Sequence, residues 1–226
     1  MYVHDRCVLH SLAGRLTTAA LLAVLMGAHP ASAQSSTGQC GDLANAYGPF
    51  DYRTDKGEKL HLVESAHFTP AVESLVRSVT GYIGGDIDYT LRAFPNHHRA
   101  LLSMMRLGER LKTPRVPNTN YSVECYFVRA ITFRAEDTTV RMIYAMFLNK
   151  SQRKPEALEQ LSATRSLAGD NAFTHYNLGL LYMDLGEPEL ALGAAHTAQA
   201  LGFMRPELKD RLAAAGKWAE PASAPR

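Results

Sequence analysis

The chain has 226 residues with 24 Lys and Arg against 22 Asp and Glu, a formal charge of +2. That length suits one or two domains. The near-neutral balance carries no basic stripe, which excludes the electrostatic footprint of a nucleic-acid binder and gives no general attraction to anionic surfaces. Beyond the first 33 residues no run approaches the ~18 apolar residues of a membrane span, so no membrane insertion of the mature chain is expected.

Residues 1–33 read as a removable export signal. Arg6 and Arg15 supply positive charge, residues 17–28 are apolar and uncharged, and Ala31-Ser32-Ala33 is a small-x-small cleavage site. Cleavage after Ala33 leaves a mature chain in the periplasm or outside the cell, with a net charge of +1 once Asp5, Arg6 and Arg15 are removed. The mature part keeps two cysteines, Cys40 and Cys125. An even pair in an exported chain can form a disulfide, although spacing alone does not show that the two meet.

Residues 34–90 read as an N-terminal arm and helical cap. The polar stretch 34–57, with its Gly48-Pro49 turn signal, reads as extended, and Tyr47, Phe50 and Tyr52 read as anchors on the helices behind it. Leu60, Val63 and His67 share a helical face in a short segment. A firmer helix is predicted from Pro70, capped by Thr69, with Val72, Leu75, Val76 and Val79 inward and Gly81, Gly84 and Gly85 ending it.

From residue 91 to residue 216 the chain reads as helical repeats with a 34-residue period. Val123, Phe127, Ala130 and Phe133 give way to Ala157, Leu161, Thr164 and Leu167, then to Ala191, Ala195, Ala198 and Leu201. Such a period marks stacked helical hairpins. The units are 94–137, 138–171 and 172–205. Asn171 caps the last, Gly186 turns it and Pro188 starts its second helix; Asp137 and Pro155 hold the corresponding places one period earlier. The first unit is degenerate. Its His98, Leu101 and Met105 match His175, Leu178 and Tyr182 only if about nine residues are inserted, which residues 112–120 with Pro114 and Pro117 supply. A capping helix follows at 206–216, with Leu208 and Leu212 inward, and residues 217–226 read as a disordered tail. The fold class is therefore all-α, a solenoid of about three hairpins and seven or eight helices.

Leu178, Gly179, Tyr182, Gly186, Ala191 and Ala198 resemble the tetratricopeptide repeat family. Three segments, residues 47–53, 67–70 and 88–101, resemble a group of exported bacterial repeat proteins, a resemblance that implies no activity. The tetratricopeptide resemblance implies a concave groove lined by first helices. Carried over, it gives Asn96, Arg99, Ser103 and Arg106, then Met142, Met146 and Asn149, then Phe173, Tyr176, Asn177, Leu180 and Met183. Two arginines could fork onto a carboxylate, and Met with aromatic residues makes an adaptable apolar wall, so an acidic peptide fits. Plain inter-repeat core is the competing account of Tyr176, Leu180 and Met142.

The leading expectation is a scaffold that binds a protein or peptide in the cell envelope, without catalysis or cofactor. A second is an enzyme or metal site among His61, His67, His97 and His98. Adjacent His97 and His98 point about 100° apart on a helix, and no zincin, CxxC, haem-attachment, P-loop or dinucleotide spacing supports it. A third is an assembly factor whose arm fills its own groove.

Overall fold

The computed structural model describes residues 40–203 and 205–221; the predicted export signal lies outside them. The described chain is all-α, with ten helices: α1 Glu58–His67, α2 Pro70–Glu73, α3 Ile83–Ala93, α4 His98–Leu111, α5 Val123–Phe133, α6 Thr138–Lys150, α7 Lys154–Leu167, α8 Ala172–Asp184, α9 Pro188–Ala200 and α10 Pro206–Ala214. No helix among the described residues is long and apolar enough to cross a membrane.

Local chemistry sets the helix ends. The Asp137 carboxylate accepts from the Thr139 and Val140 amides at 3.1 and 3.2 Å, and Asn171 accepts from the Thr174 amide at 3.0 Å. Proline stands in the first turn of α7, α9 and α10, where its missing amide hydrogen is not needed. Helices α6 and α8 start 34 residues apart, as do α7 and α9. Their connections also agree. Gln152 and Gly186 adopt φ of 61° and 70°, and the next amide, of Arg153 or Glu187, returns to the carbonyl of Leu148 or Tyr182 at 2.9 Å in both.

Helix α6 packs along α7, and α8 along α9. Small residues permit the approach. A Cβ on Gly179 would collide with Leu208 and come within 3.4 Å of the Ala191 carbonyl. Leu208 and Leu212 of α10 are buried over α8 and α9, as expected of a capping helix. One apolar core runs from Leu101 and Met104 through Phe127 and Leu148 to Leu161, Leu178 and Leu208.

The N-terminal region departs from expectation. The ambiguous segment around residue 60 is helix α1, and the firmer helix stops after four residues. Leu75 takes a left-handed φ of 60°, which ends helical continuation. Val76 and Val79, expected inside, are 77% and 52% exposed. Gly84 and Gly85, expected to end that helix, lie in the first turns of α3. Phe94, the expected repeat start, caps α3 and is buried in a separate cluster with Val63 and Ala93. The helix caps revise the insertion as well. His97, Asp137 and Asn171 stand 40 and 34 residues apart, an excess of six rather than nine, so Leu101 and not His98 corresponds to His175. At the other end Lys217 pairs with Glu189 at 2.8 Å and Trp218 packs on His196, so the expected disorder does not hold for residues 217–218.

The arm lies on the helices, as its aromatic residues suggested. Tyr47, Phe50 and Tyr52 pack on the Val63–Phe94 cluster. Cys40 and Cys125 form a disulfide spanning 85 residues, which ties the arm to α5 and fits an oxidising, extracytoplasmic compartment. Beside it the Arg129 guanidinium is buried, donates to the carbonyls of Cys40, Gly41 and Asp42, and lies 4.1 Å from the centre of the Tyr121 ring. Closing a loop of that length removes about 4–5 kcal/mol of chain entropy from the unfolded state. The Cys40→Ser/Cys125→Ser variant should therefore melt on the order of 10 °C below the parent. Thermal unfolding checks this; reductant should lower the parent's midpoint and leave the variant's unchanged.

Candidate functional site

The densest polar cluster is built by three segments. Asp51 comes from the arm, Asn96 from the α3–α4 connection, and Asp137 from the cap of α6; all three are buried. The Asn96 amide nitrogen donates to Asp51 Oδ1 at 2.7 Å and to Asp137 Oδ2 at 2.9 Å, while its oxygen accepts from the Tyr52 amide. Arg53 and Arg134 reach Asp51 at 2.8 and 2.7 Å. His98 Nε2 donates to both Asp137 oxygens. Arg53, then Asn96 and Arg134, hold the Asp51 carboxyl far below the usual carboxylate range against the opposing effect of burial. Burial alone would raise Asp137, but His98, Asn96 and the Val140 amide outweigh it. Asp86 follows the same pattern, with the Thr80 hydroxyl and the Val79 and Thr80 amides overcoming burial.

Each histidine of the metal alternative goes its own way. His97 is fully buried. Its Nδ1 accepts from the Ala100 amide, so the proton sits on Nε2 and faces Glu64 at 3.1 Å; burial lowers its pKa, which keeps the ring neutral. His67 stacks on Tyr89 and meets Asp86 at 3.3 Å. His61 is exposed. Among the described residues no three His, Cys, Asp or Glu side chains gather closely enough to hold a metal ion.

The twelve expected groove residues do not form one surface. Asn96 is consumed by the cluster above, and Ser103 is buried with its hydroxyl on the Glu73 carbonyl, so neither presents to a ligand. Arg99 is paired with Glu73 and Glu64, which satisfies the cation that was to grip a carboxylate. Arg106 is exposed. Met142 and Tyr176 are buried, the core account of both. Met146 and Asn149 line a small cavity of about 150 Å³ beside Asp184 and Leu185. Leu180 and Met183 are partly buried against the core, Asn177 is half-buried, and Phe173 is 57% exposed.

Larger concavities lie elsewhere, two of them lined by Tyr82 and by Tyr176. The first, about 430 Å³, lies between the α2–α3 connection and residues 107–118. Val76, Tyr82 and Leu111 line it, each strongly exposed. Its apolar character escaped sequence reading because a helical pattern placed Val76 inside; only the left-handed Leu75 turns it out. The second, about 300 Å³, lies between α8, α9 and α10 and is walled by Tyr176, Phe203, Leu208 and Trp218. Phe203 is 5.0 Å from Tyr176 and 5.6 Å from Phe173 between ring centres. Of these residues the repeat register had singled out Tyr176 and Phe173; Trp218 was hidden in the presumed tail.

Asn96→Leu should lower stability by about 3–5 kcal/mol, because it leaves two buried carboxylates facing without their bridge; chemical denaturation measures it. The acid response has a definite sign. Asp51, Asp86 and Asp137 titrate lower when folded than unfolded, so their stabilisation is complete above the unfolded carboxylate pKa of about 4 and is lost as pH falls below it. Melting temperature followed from pH 6 to pH 2 should show that decline, and Asp137→Asn should make it shallower.

No protein-family model, curated protein or solved structure matches the chain.

Proposed function

We propose that the chain is an exported helical-repeat scaffold that holds a protein or peptide partner in the cell envelope and performs no chemistry of its own. One observation carries this reading. The pairs α6–α7 and α8–α9 keep the same register in cap, turn and contact residue: Asp137 and Asn171, Gln152 and Gly186, Ala145 and Gly179, Ala157 and Ala191. Stacked units of that period generate extended surfaces for holding partners. The resemblance of Leu178, Gly179, Tyr182 and Ala191 to tetratricopeptide repeats points the same way, and the disulfide supports an oxidising compartment. The acids and histidines near residues 61–99 are largely spent on internal pairs, which disfavours the enzyme and metal alternative. The arm's bonds and ring contacts go to α1, to residues 92–98 and to residues 121–137, away from Phe173 and Tyr176. Among the described residues the arm makes no such contact with the last helix pair, which supports a partner at that face.

Placing a photo-cross-linking amino acid at Phe173, and separately at Tyr82, tests the reading in the native cell. A discrete envelope protein should attach at Phe173, and Phe173→Asp should reduce recovery of that protein about tenfold. Attachment at Tyr82 alone would move the partner to the α2–α3 side and overturn the groove; attachment at neither would overturn the scaffold.

A further inference from the structure

The cavity between α8, α9 and α10 joins apolar walls to a buried unpartnered hydroxyl and an unpaired cation among the described residues. Its walls are aromatic and aliphatic, from Tyr176, Phe203, Leu208 and Trp218. Its volume of about 300 Å³ falls at the lower end of small-ligand sites, about 300–1,000 Å³. Tyr176 is 5% exposed, and its hydroxyl is buried with no hydrogen-bond partner among the described residues. A buried hydroxyl in that state is destabilising, and native structures rarely keep one without a reason. Burial and then the nearby Glu207 push the phenol pKa up, against the Leu208 backbone and Arg205, so the hydroxyl keeps its proton.

Two cations, Arg205 and Lys209, stand on the lining. Lys209 lies 4.8 Å from the centre of the Trp218 ring. Lys209 Nζ and Trp218 Nε1 together hold the exposed carboxylate of Glu220, at 3.0 and 3.1 Å. That rim is thus already occupied by a carboxylate, the group its donors suit. Arg205 packs over Phe203 at 5.8 Å and has no acidic partner among the described residues. Its guanidinium offers a planar fork matched to a carboxylate.

The lining narrows the ligand class. A sugar would require several converging polar side chains, and Gln199 is the one uncharged amide present. A neutral hydrocarbon would fill the aromatic walls but leave Arg205 and the Tyr176 hydroxyl without an acceptor. An apolar body bearing one anionic acceptor answers both. We propose that this cavity binds a small apolar carboxylate, an aryl or short alkyl acid, with its body against Tyr176, Phe203 and Trp218 and its carboxylate toward Arg205. The site rests on its own geometry and does not require that the scaffold hold a protein.

Trp218 is the one tryptophan in the sequence, so its fluorescence reports on this wall directly. The mature, disulfide-bonded chain is titrated with 3-phenylpropionate and octanoate, and with the neutral 3-phenylpropanamide. At least one acid should give a saturable change, with the amide at least tenfold weaker, the scale of one charged hydrogen bond. Arg205→Gln, at an exposed position, should weaken acid binding about tenfold while leaving the melting temperature unchanged. Tyr176→Phe should weaken the acid severalfold. Equal binding of acid and amide, no effect of Arg205→Gln, or no saturable response to either acid would overturn the assignment.

Discussion

Two buried carboxylates, Asp51 and Asp137, are held apart and together by one side chain, Asn96. Both hydrogens of its amide nitrogen are spent, one on each acid, and its oxygen is spent on the Tyr52 amide. Without cations nearby, two such acids would repel and would be costly to desolvate. Arg53 and Arg134 supply the positive charge at Asp51, and the single Nε2 hydrogen of His98 is shared between the two Asp137 oxygens. Every segment that meets here has a further duty. The arm continues from the disulfide, the Asn96 loop carries the cap of α4, and Asp137 itself caps α6. The orientation of the arm and the start of the regular helix pairs are therefore fixed by the same set of bonds.

The parts of this architecture legible in the sequence are those governed by local rules. A cap residue acts on an amide two or three positions ahead, and a turn is set by one backbone dihedral. Asp137, Asn171 and Gly186 could be placed from their neighbours alone. Asn96 could not. Its partners are 45 and 41 residues away, and an asparagine before a histidine pair reads equally well as a surface residue. Val76 failed for the opposite reason. Its local pattern is helical, but Leu75 adopts a left-handed φ that leucine rarely takes, and nothing nearby in sequence announces it. The Arg110 guanidinium, 35 residues on, donates to the Leu75 carbonyl at 2.8 Å and holds that turn.

The same distinction explains why the expected binding residues scattered. Register predicts which way a helical side chain points, but not whether an acid from another segment meets it. Arg99 points outward as the register requires and is then claimed by Glu73 and Glu64, which α1 and α2 bring to it. At the last helix pair no described residue of the arm crosses over; Phe173 is exposed and Tyr176 borders a cavity. Residues that were equivalent by spacing are made unequal by what the N-terminal segments lay across them.

This inequality also assigns mechanical roles along the chain. Arg129 is a buried cation with no acidic partner among the described residues; three carbonyls of residues 40–42 surround it, and the Cys40–Cys125 bond keeps them there. Reducing the bond would free the segment that carries those carbonyls, and the guanidinium would lose these acceptors. The loosened arm is the same one that delivers Asp51 to Asn96. Formation of the disulfide thus stabilises the N-terminal half through two linked polar clusters. The α8–α10 end is held by apolar packing of Leu178, Leu208 and Leu212, within the core that continues to the N-terminal helices. At that end the ion pairs Arg211–Asp184, Lys217–Glu189 and Lys209–Glu220 lie on the surface, so the apolar walls of the cavity are built by packing alone while Arg205 stays unpaired among the described residues.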